Sequence, residues 1–450
     1  MLQTLSTTTN THYYHTTELP FVDDIIYEIL HFLDSITIIG TCMRISKSWR
    51  EISFKIPLTL KFGATTDEHS FRKSENVNSN LVERISKSEC LKNLTSLTFS
   101  YNRMGAKSVK FIANSEHLRN LTCLQLNYNQ MESDGATWIV KSENVKNLTL
   151  LDVSLNTIGS IGAASIANSS NLKHLISLNL SFNQIDEEGA YSIANSENLQ
   201  NLTWLDLKHN ELGSKGVHYI ANSPYLKNLT TLNLCGTCME SEGAFFLANS
   251  QNLMSLTSLD ISRNRIGSNG IQFIANSDTL KNLTSLHSVH NQIDSKGVKS
   301  MAESENLKHL TLLDLNDNEI ESEGAYFIAT SQYLKHLTCL NLNTNGIGLE
   351  GIKFMAESEN SQHFTLLDLS CNRIGSKGVH HIANSPYMNN LKSLSLSSNQ
   401  IFSEGAQSIA NSPYLTKLTF LDLNGNGIGS HGMNVIKNSE HLKHLTMVKF

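Results

Sequence analysis

The chain has 450 residues, 40% hydrophobic and 17% charged, with 25 Gly, 5 Pro and a formal net charge of -6. That balance suits a folded, water-facing protein and disfavours nucleic acid as a partner, because a mildly acidic chain repels a phosphate backbone. No apolar run approaches the roughly 20 residues that cross a bilayer, so no membrane partner is expected, and seven scattered cysteines do not read as a disulfide framework.

In chain order, residues 1–17 are Thr-rich and polar, without the basic and apolar stretches of a secretory signal, and are expected to form a disordered tail on a cytoplasmic or nuclear protein. Residues 18–56 change texture. Ile25, Ile26, Ile29, Leu30 and Leu33 recur at helical spacing behind Asp23 and Asp24, an acidic helix start. With Leu19–Pro20, the Phe32–Leu33 pair and the closing run Ile45-Ser46-Lys47-Ser48-Trp49-Arg50, this segment resembles an F-box, although Leu19–Pro20 stands early for that pattern and no second tryptophan follows. The resemblance implies docking on a Skp-type adaptor, and through it a cullin, by Leu19, Pro20, Ile25, Ile29, Leu30, Phe32, Leu33 and Trp49. In the alternative reading these helices only cap the N-terminal end of a repeat domain. Residues 57–93 then supply a strand at Leu58, Leu60 and Phe62, a polar loop and a helix, an irregular first repeat.

From Leu94 the pattern restarts every 27 residues, at Leu121, Leu148, Leu175 and onward to Leu445, with no insertion or deletion. A fixed period of this size reads as a solenoid. Each unit opens L-x-x-L-x-L, as in Leu175, Leu178 and Leu180, the alternation of a strand with one buried face. About ten residues later Ala190, Ile193 and Ala194 stand at helical spacing and pack behind that strand. The ninth position is Asn in twelve of thirteen full units, with Thr237 the exception, and an amide there both donates and accepts between turns. The fifteenth is Gly in twelve of thirteen, with Ser108 the exception, which suits a tight turn or a close backbone approach. Together these positions resemble the ribonuclease-inhibitor class of leucine-rich repeats over residues 94–450. The resemblance implies an α/β, right-handed solenoid of horseshoe shape, with parallel strands on the concave face and helices on the convex face, preceded by a small helical F-box-like module. Proteins of this class hold a protein partner on the concave face.

In such a strand the third, fifth and seventh positions face outward and the eighth lies at the rim. Position five is Asp in every second unit, including Asp152, Asp206 and Asp260, either an acidic stripe for a basic partner or an ordinary consensus choice. Position eight gives an aromatic edge of Tyr101, Tyr128, Phe182 and His209, which later units replace with Asp317, Thr344 and Ser398. With Trp204, Arg263 and His290 this edge is the expected partner footprint, unless the rings pack on one another. Cys235 and Cys238 form a lone pair at two exposed loop positions, with no second Cys pair or nearby Cys-His spacing, so no metal site is expected. Gly346, Gly348 and Gly351 fit a dinucleotide fingerprint but fall largely on glycine positions of the repeat, so no cofactor is expected. Six Asn-Leu-Thr sequons read as by-products of the repeat. No catalytic motif occurs, so the chain is expected not to be an enzyme. The reading is a protein-binding adaptor, the substrate-recognition subunit of a cullin-RING ubiquitin ligase of the SCF type. A stand-alone regulator or inhibitor of an enzyme or small GTPase is the alternative. The last strand, guarded by Lys449, offers an edge through which two chains are expected to pair.

Overall fold

The computed structural model describes residues 58–62 and 79–450. The F-box-like positions from Leu19 to Trp49 lie outside the described residues. Among those described, fifteen strands form one open sheet in chain order, from β1 (Leu58–Phe62) and β2 (Leu94–Phe99) to β15 (Met447–Lys449), and every neighbouring pair is parallel. Past β2 the register advances by one unit per strand, so Leu151 lies beside Leu178 and Leu178 beside Leu205. A helix follows each strand from β2 to β14, for example Glu187–Ala194 after Ser177–Asn179. A helix is wider than the strand spacing of about 4.8 Å, so the stack bends with strands on the concave side and helices on the convex side.

The regular strands from β3 (Cys123–Gln125) onward span three residues rather than the six the alternation predicts. In nine of these strands the side chain of the fifth residue accepts the N–H of the seventh as the chain turns out of the sheet: Asp152 takes Ser154, Asn179 takes Ser181, Asp206 takes Lys208. Backbone pairing resumes past the turn, with Leu180 N–H on the Asp206 carbonyl and Phe182 N–H on that of Lys208. Small seventh-position residues tuck in behind this turn, so Ser154, Ser181, Cys235, Ser262 and Ser370 are buried instead of lining the surface, whereas Lys208, Asn316 and Asn343 are half-buried.

One continuous core runs the length of the array between sheet and helices. Two polar ladders tie its units. Asn183 Oδ1 accepts from the N–H groups of Asn156 and Ile158 in the preceding unit, while its Nδ2 donates to the carbonyls of Val153, Leu180 and Ser181. The same amide bridge recurs along the array. On the helix side, a serine seven residues after the fifteenth-position glycine sends its hydroxyl to a carbonyl of the preceding helix end, Ser196 to Ala167 and Ser223 to Ala194 at 2.5 Å each. The sequon asparagines act similarly at the sheet's lower rim, where Asn120, Asn147, Asn201, Asn228 and Asn282 each donate Nδ2 to a carbonyl of the preceding unit.

The fifteenth-position glycines settle the choice between turn and close approach. A Cβ on Gly351 would stand 2.6 Å from Ile347 Cγ2 and 3.1 Å from both Ala325 Cβ and Ser322 Cα, so this glycine admits the neighbouring helix. The turn belongs to the twelfth position, where Gly348 has φ of +62°. The apparent dinucleotide fingerprint is therefore two left-handed turn residues, Gly346 and Gly348, followed by one packing glycine.

Thr237 breaks the amide ladder while buried. Its hydroxyl donates to the Leu234 carbonyl at 2.8 Å, but it has no amide oxygen for the N–H groups of Asn210 and Leu212, which elsewhere find one in the next unit. Thr237→Asn is expected to raise stability by about 1 kcal/mol, read as a higher urea midpoint. A lower midpoint would show that the sixth unit has repacked around threonine.

Candidate interaction surface

The fifth-position column lies in the floor of the concave face, and its main duty is structural, since Asp and Asn cap the same turn equally. Asn179, Asn233 and Asn341 accept the N–H of Ser181, Cys235 and Asn343 just as Asp152, Asp260 and Asp368 accept those of Ser154, Ser262 and Ser370. The aspartates nevertheless add charge that folding does not need. Burial raises the Asp152 carboxyl above its usual value, and burial, reinforced by Asp260 and Asp152, pushes Asp206 up to about 6 despite its bond to Lys208 N–H.

The eighth position is left-handed in every unit, with φ of +60° at Tyr101, +61° at Tyr128, +55° at Phe182, +50° at His209, +57° at Arg263 and +53° at His290. Glycine fills the same place without strain at Gly236 and Gly425. A large side chain in that region costs about 1 kcal/mol or more, so the first units carry rings where the backbone favours none. Tyr101 and Tyr128 stack at 5.0 Å between centroids and Phe182 and His209 at 4.4 Å, with Leu155 separating the two pairs. The rings do pack on one another, yet Tyr128 and Phe182 remain exposed. Gly236 leaves room for His209, since a Cβ there would stand 2.7 Å from its Nδ1.

Around Asp206 the floor is chemically mixed. Trp204 is half-buried two residues away on the same strand, and Lys208 lies over the Phe182 ring at 6.0 Å. Burial, then Lys208 and Arg263, lower the pKa of His209. His290 Nδ1 meets Asp317 Oδ2 at 2.6 Å, and His287 meets Asp314 at 3.6 Å, a pairing that raises its pKa. The predicted footprint thus falls in two places: Trp204, Asp206 and Asp260 on the floor, the rings, Arg263 and His290 along one rim.

One expectation changes. Cys235 is not an exposed loop residue but is 4% exposed, and burial pushes its thiol up to about 11, far from a reactive thiolate, while Cys238 is exposed. No group of three or more His, Cys, Asp or Glu side chains among the described residues is arranged to hold a metal. No described helix is long and apolar enough to cross a membrane.

Sequence reasoning overlooked the convex side. Tyr191, Tyr219, Phe246, Phe245 and Phe273 stand on four consecutive helices, Glu187–Ala194, Gly213–Ala221, Glu240–Ala248 and Gly267–Ala275, linked by edge contacts with His218. Tyr191, Phe245 and Phe273 are exposed. The signal was present as aromatics at the two positions that follow Ala190 and its equivalents.

Ten segments, 117–139, 146–167, 171–194, 198–221, 252–275, 306–329, 333–356, 360–383, 387–410 and 414–436, match the family model described as leucine-rich repeat, just over half of the chain. No curated protein matches the chain. Among solved structures, the complex of Rad7 and Elc1 from yeast is similar with a TM-score of 0.51 and 14% identity, covering 83% of this chain and 87% of that one. An internalin of Listeria monocytogenes gives a TM-score of 0.46 and 22% identity over 77% of this chain and 94% of that one.

Proposed function

The chain belongs to the leucine-rich-repeat family, and from that premise we propose that it is a protein-binding adaptor whose concave face selects a substrate for a cullin-RING ubiquitin ligase of the SCF type. The observation that carries the binding face is a pair of features that burden the fold: a buried carboxylate at Asp206 where asparagine makes the same cap, and rings on left-handed backbone where glycine sits freely. Residues that lower stability without serving the architecture are those a binding surface keeps. Trp204, Phe182 and Tyr128 supply apolar anchors, and Asp152, Asp206 and Asp260 supply charge, the mixture that concentrates binding energy at interfaces. The ligase half of the proposal rests on the F-box-like residues Leu19 to Trp49, whose docking on a Skp-type adaptor would bring a cullin.

Capture from cell lysate with quantitative mass spectrometry tests both halves. Leu30→Glu/Leu33→Glu is expected to lose a Skp-type adaptor and a cullin while retaining other partners, and Trp204→Glu to do the reverse. If neither adaptor nor cullin accompanies the intact chain, the ligase half falls and a stand-alone regulator takes its place. If Trp204→Glu keeps every partner, the concave footprint is wrong.

A further inference from the structure

A period of two repeats is written into the floor of the concave face over its C-terminal half, and its meaning rests on the concave-face reading. Strands β10 (Leu312–Asp314), β12 (Leu366–Asp368) and β14 (Phe420–Asp422) each set an apolar residue and an aspartate two positions apart, while the intervening β11 (Cys339–Asn341) and β13 (Ser393–Ser395) set small or neutral polar residues there. Leu366, at the centre, is 40% exposed. No Lys or Arg occupies the third, fifth, seventh or eighth position of these five units, and the eighth positions, from Thr344 to Gly425, carry no ring to cover the floor. The N-terminal half instead mixes Lys208 and Arg263 among its acids. Asp314 is met by His287 at one end and Asp422 by Lys449 at 3.8 Å at the other, but Asp368 has no cationic partner among the described residues. Charge complementarity therefore calls for a basic occupant.

The spacing selects its conformation. Strands lie about 4.8 Å apart, so apolar–acid pairs on every second strand recur at about 9.6 Å. A polyproline II segment repeats each face every three residues, about 9.3 Å. An extended β-strand shows one face every two residues, about 6.7 Å, and falls out of step. An α-helical heptad advances about 10.5 Å, nearer but longer, and its backbone is satisfied internally. Polyproline II leaves its carbonyls without internal partners, and the intervening strand offers a donor: Asn341 Oδ1 is occupied by the Asn343 N–H, while its Nδ2 has no partner among the described residues.

We propose that β10 to β14 bind an extended polyproline II segment of a partner protein with Lys or Arg at every third position and apolar residues between. The cations meet Asp314, Asp368 and Asp422, and the apolar side chains lie against Leu312, Leu366 and Phe420.

The test is fluorescence anisotropy of the intact chain with a labelled peptide of three Arg-Pro-Leu triplets, beside a peptide of the same composition with its arginines clustered and a helical peptide with arginine at heptad spacing. The triplet peptide is expected to bind about tenfold tighter than either control, and Asp368→Asn to weaken it about tenfold, as for loss of a charge-assisted contact. Asparagine makes the same turn cap in β11, so this variant keeps its fold. Equal binding of the three peptides, a preference for the helical one, or no effect of Asp368→Asn overturns the proposal. Such a failure leaves the concave-face reading standing wherever Trp204→Glu still loses partners, so the two can fail separately.

Discussion

Asn183→Ala is expected to lower stability by about 4 kcal/mol, with urea denaturation showing an early transition confined to units around the substitution. Alanine removes the oxygen that accepts from Asn156 and Ile158 N–H, both buried. Each stranded donor costs about 1–3 kcal/mol, and the lost volume adds to that. The three carbonyls that Asn183 serves suffer less, because each has a second donor: Val153 keeps Asn156, Leu180 keeps Asn210, and Ser181 keeps the Leu155 N–H. Since each unit touches chiefly its neighbours, the damage should spread only a short way, visible as faster hydrogen exchange in residues 148–210 with protection retained near β13. A uniform loss of protection over the whole array would contradict nearest-neighbour coupling. A loss under about 1 kcal/mol would mean that the ladder is ornamental to a core held by leucines alone.

The native Thr237 is a milder form of that experiment, and it shows what a sequence can and cannot disclose. The period, the buried leucines and the bridging role of the ninth asparagine were all legible, because apolar alternation and an amide at a fixed place each permit few alternatives. The serine ladder was equally regular, with Ser196 and Ser223 repeated in every full unit, yet serine suits so many settings that recurrence alone did not reveal its partner carbonyl. Position eight was read by its side chains, whereas its informative property is backbone: it is left-handed in all thirteen units, whatever residue stands there, and only the folded chain expresses that regularity. Cys235 was misplaced for a related reason, since a small seventh residue tucks inward behind the turn that Asn233 caps. The aspartates were open to two readings: their geometry is that of a common cap, while their charge lies outside the cap's requirements.

That surplus charge gives the second large expectation. Asp206 is 9% exposed, with Oδ1 accepting the Lys208 N–H at 2.8 Å and Oδ2 facing Asn233 Nδ2 at 3.4 Å. Burial holds its pKa at about 6, against 3.8 for the unperturbed carboxyl. The folded state therefore binds this proton more tightly than the unfolded chain does, and the group's contribution is fully present below pH 3.8 and lost as pH rises through 6. Asp206→Asn keeps the cap and the shape without the buried charge. It is expected to stabilise the fold by about 3 kcal/mol at neutral pH and by almost nothing near pH 4, measured as the difference between variant and parent urea midpoints at each pH. An equal gain at both values would assign the effect to packing rather than ionisation. The functional consequence has the opposite sign: a partner cation that reaches Asp206 stabilises the carboxylate that folding disfavours, so the same substitution should weaken capture of the concave-face partner above pH 6. A variant that is stabler and captures partners undiminished would remove Asp206 from the footprint and leave its burial without a binding role.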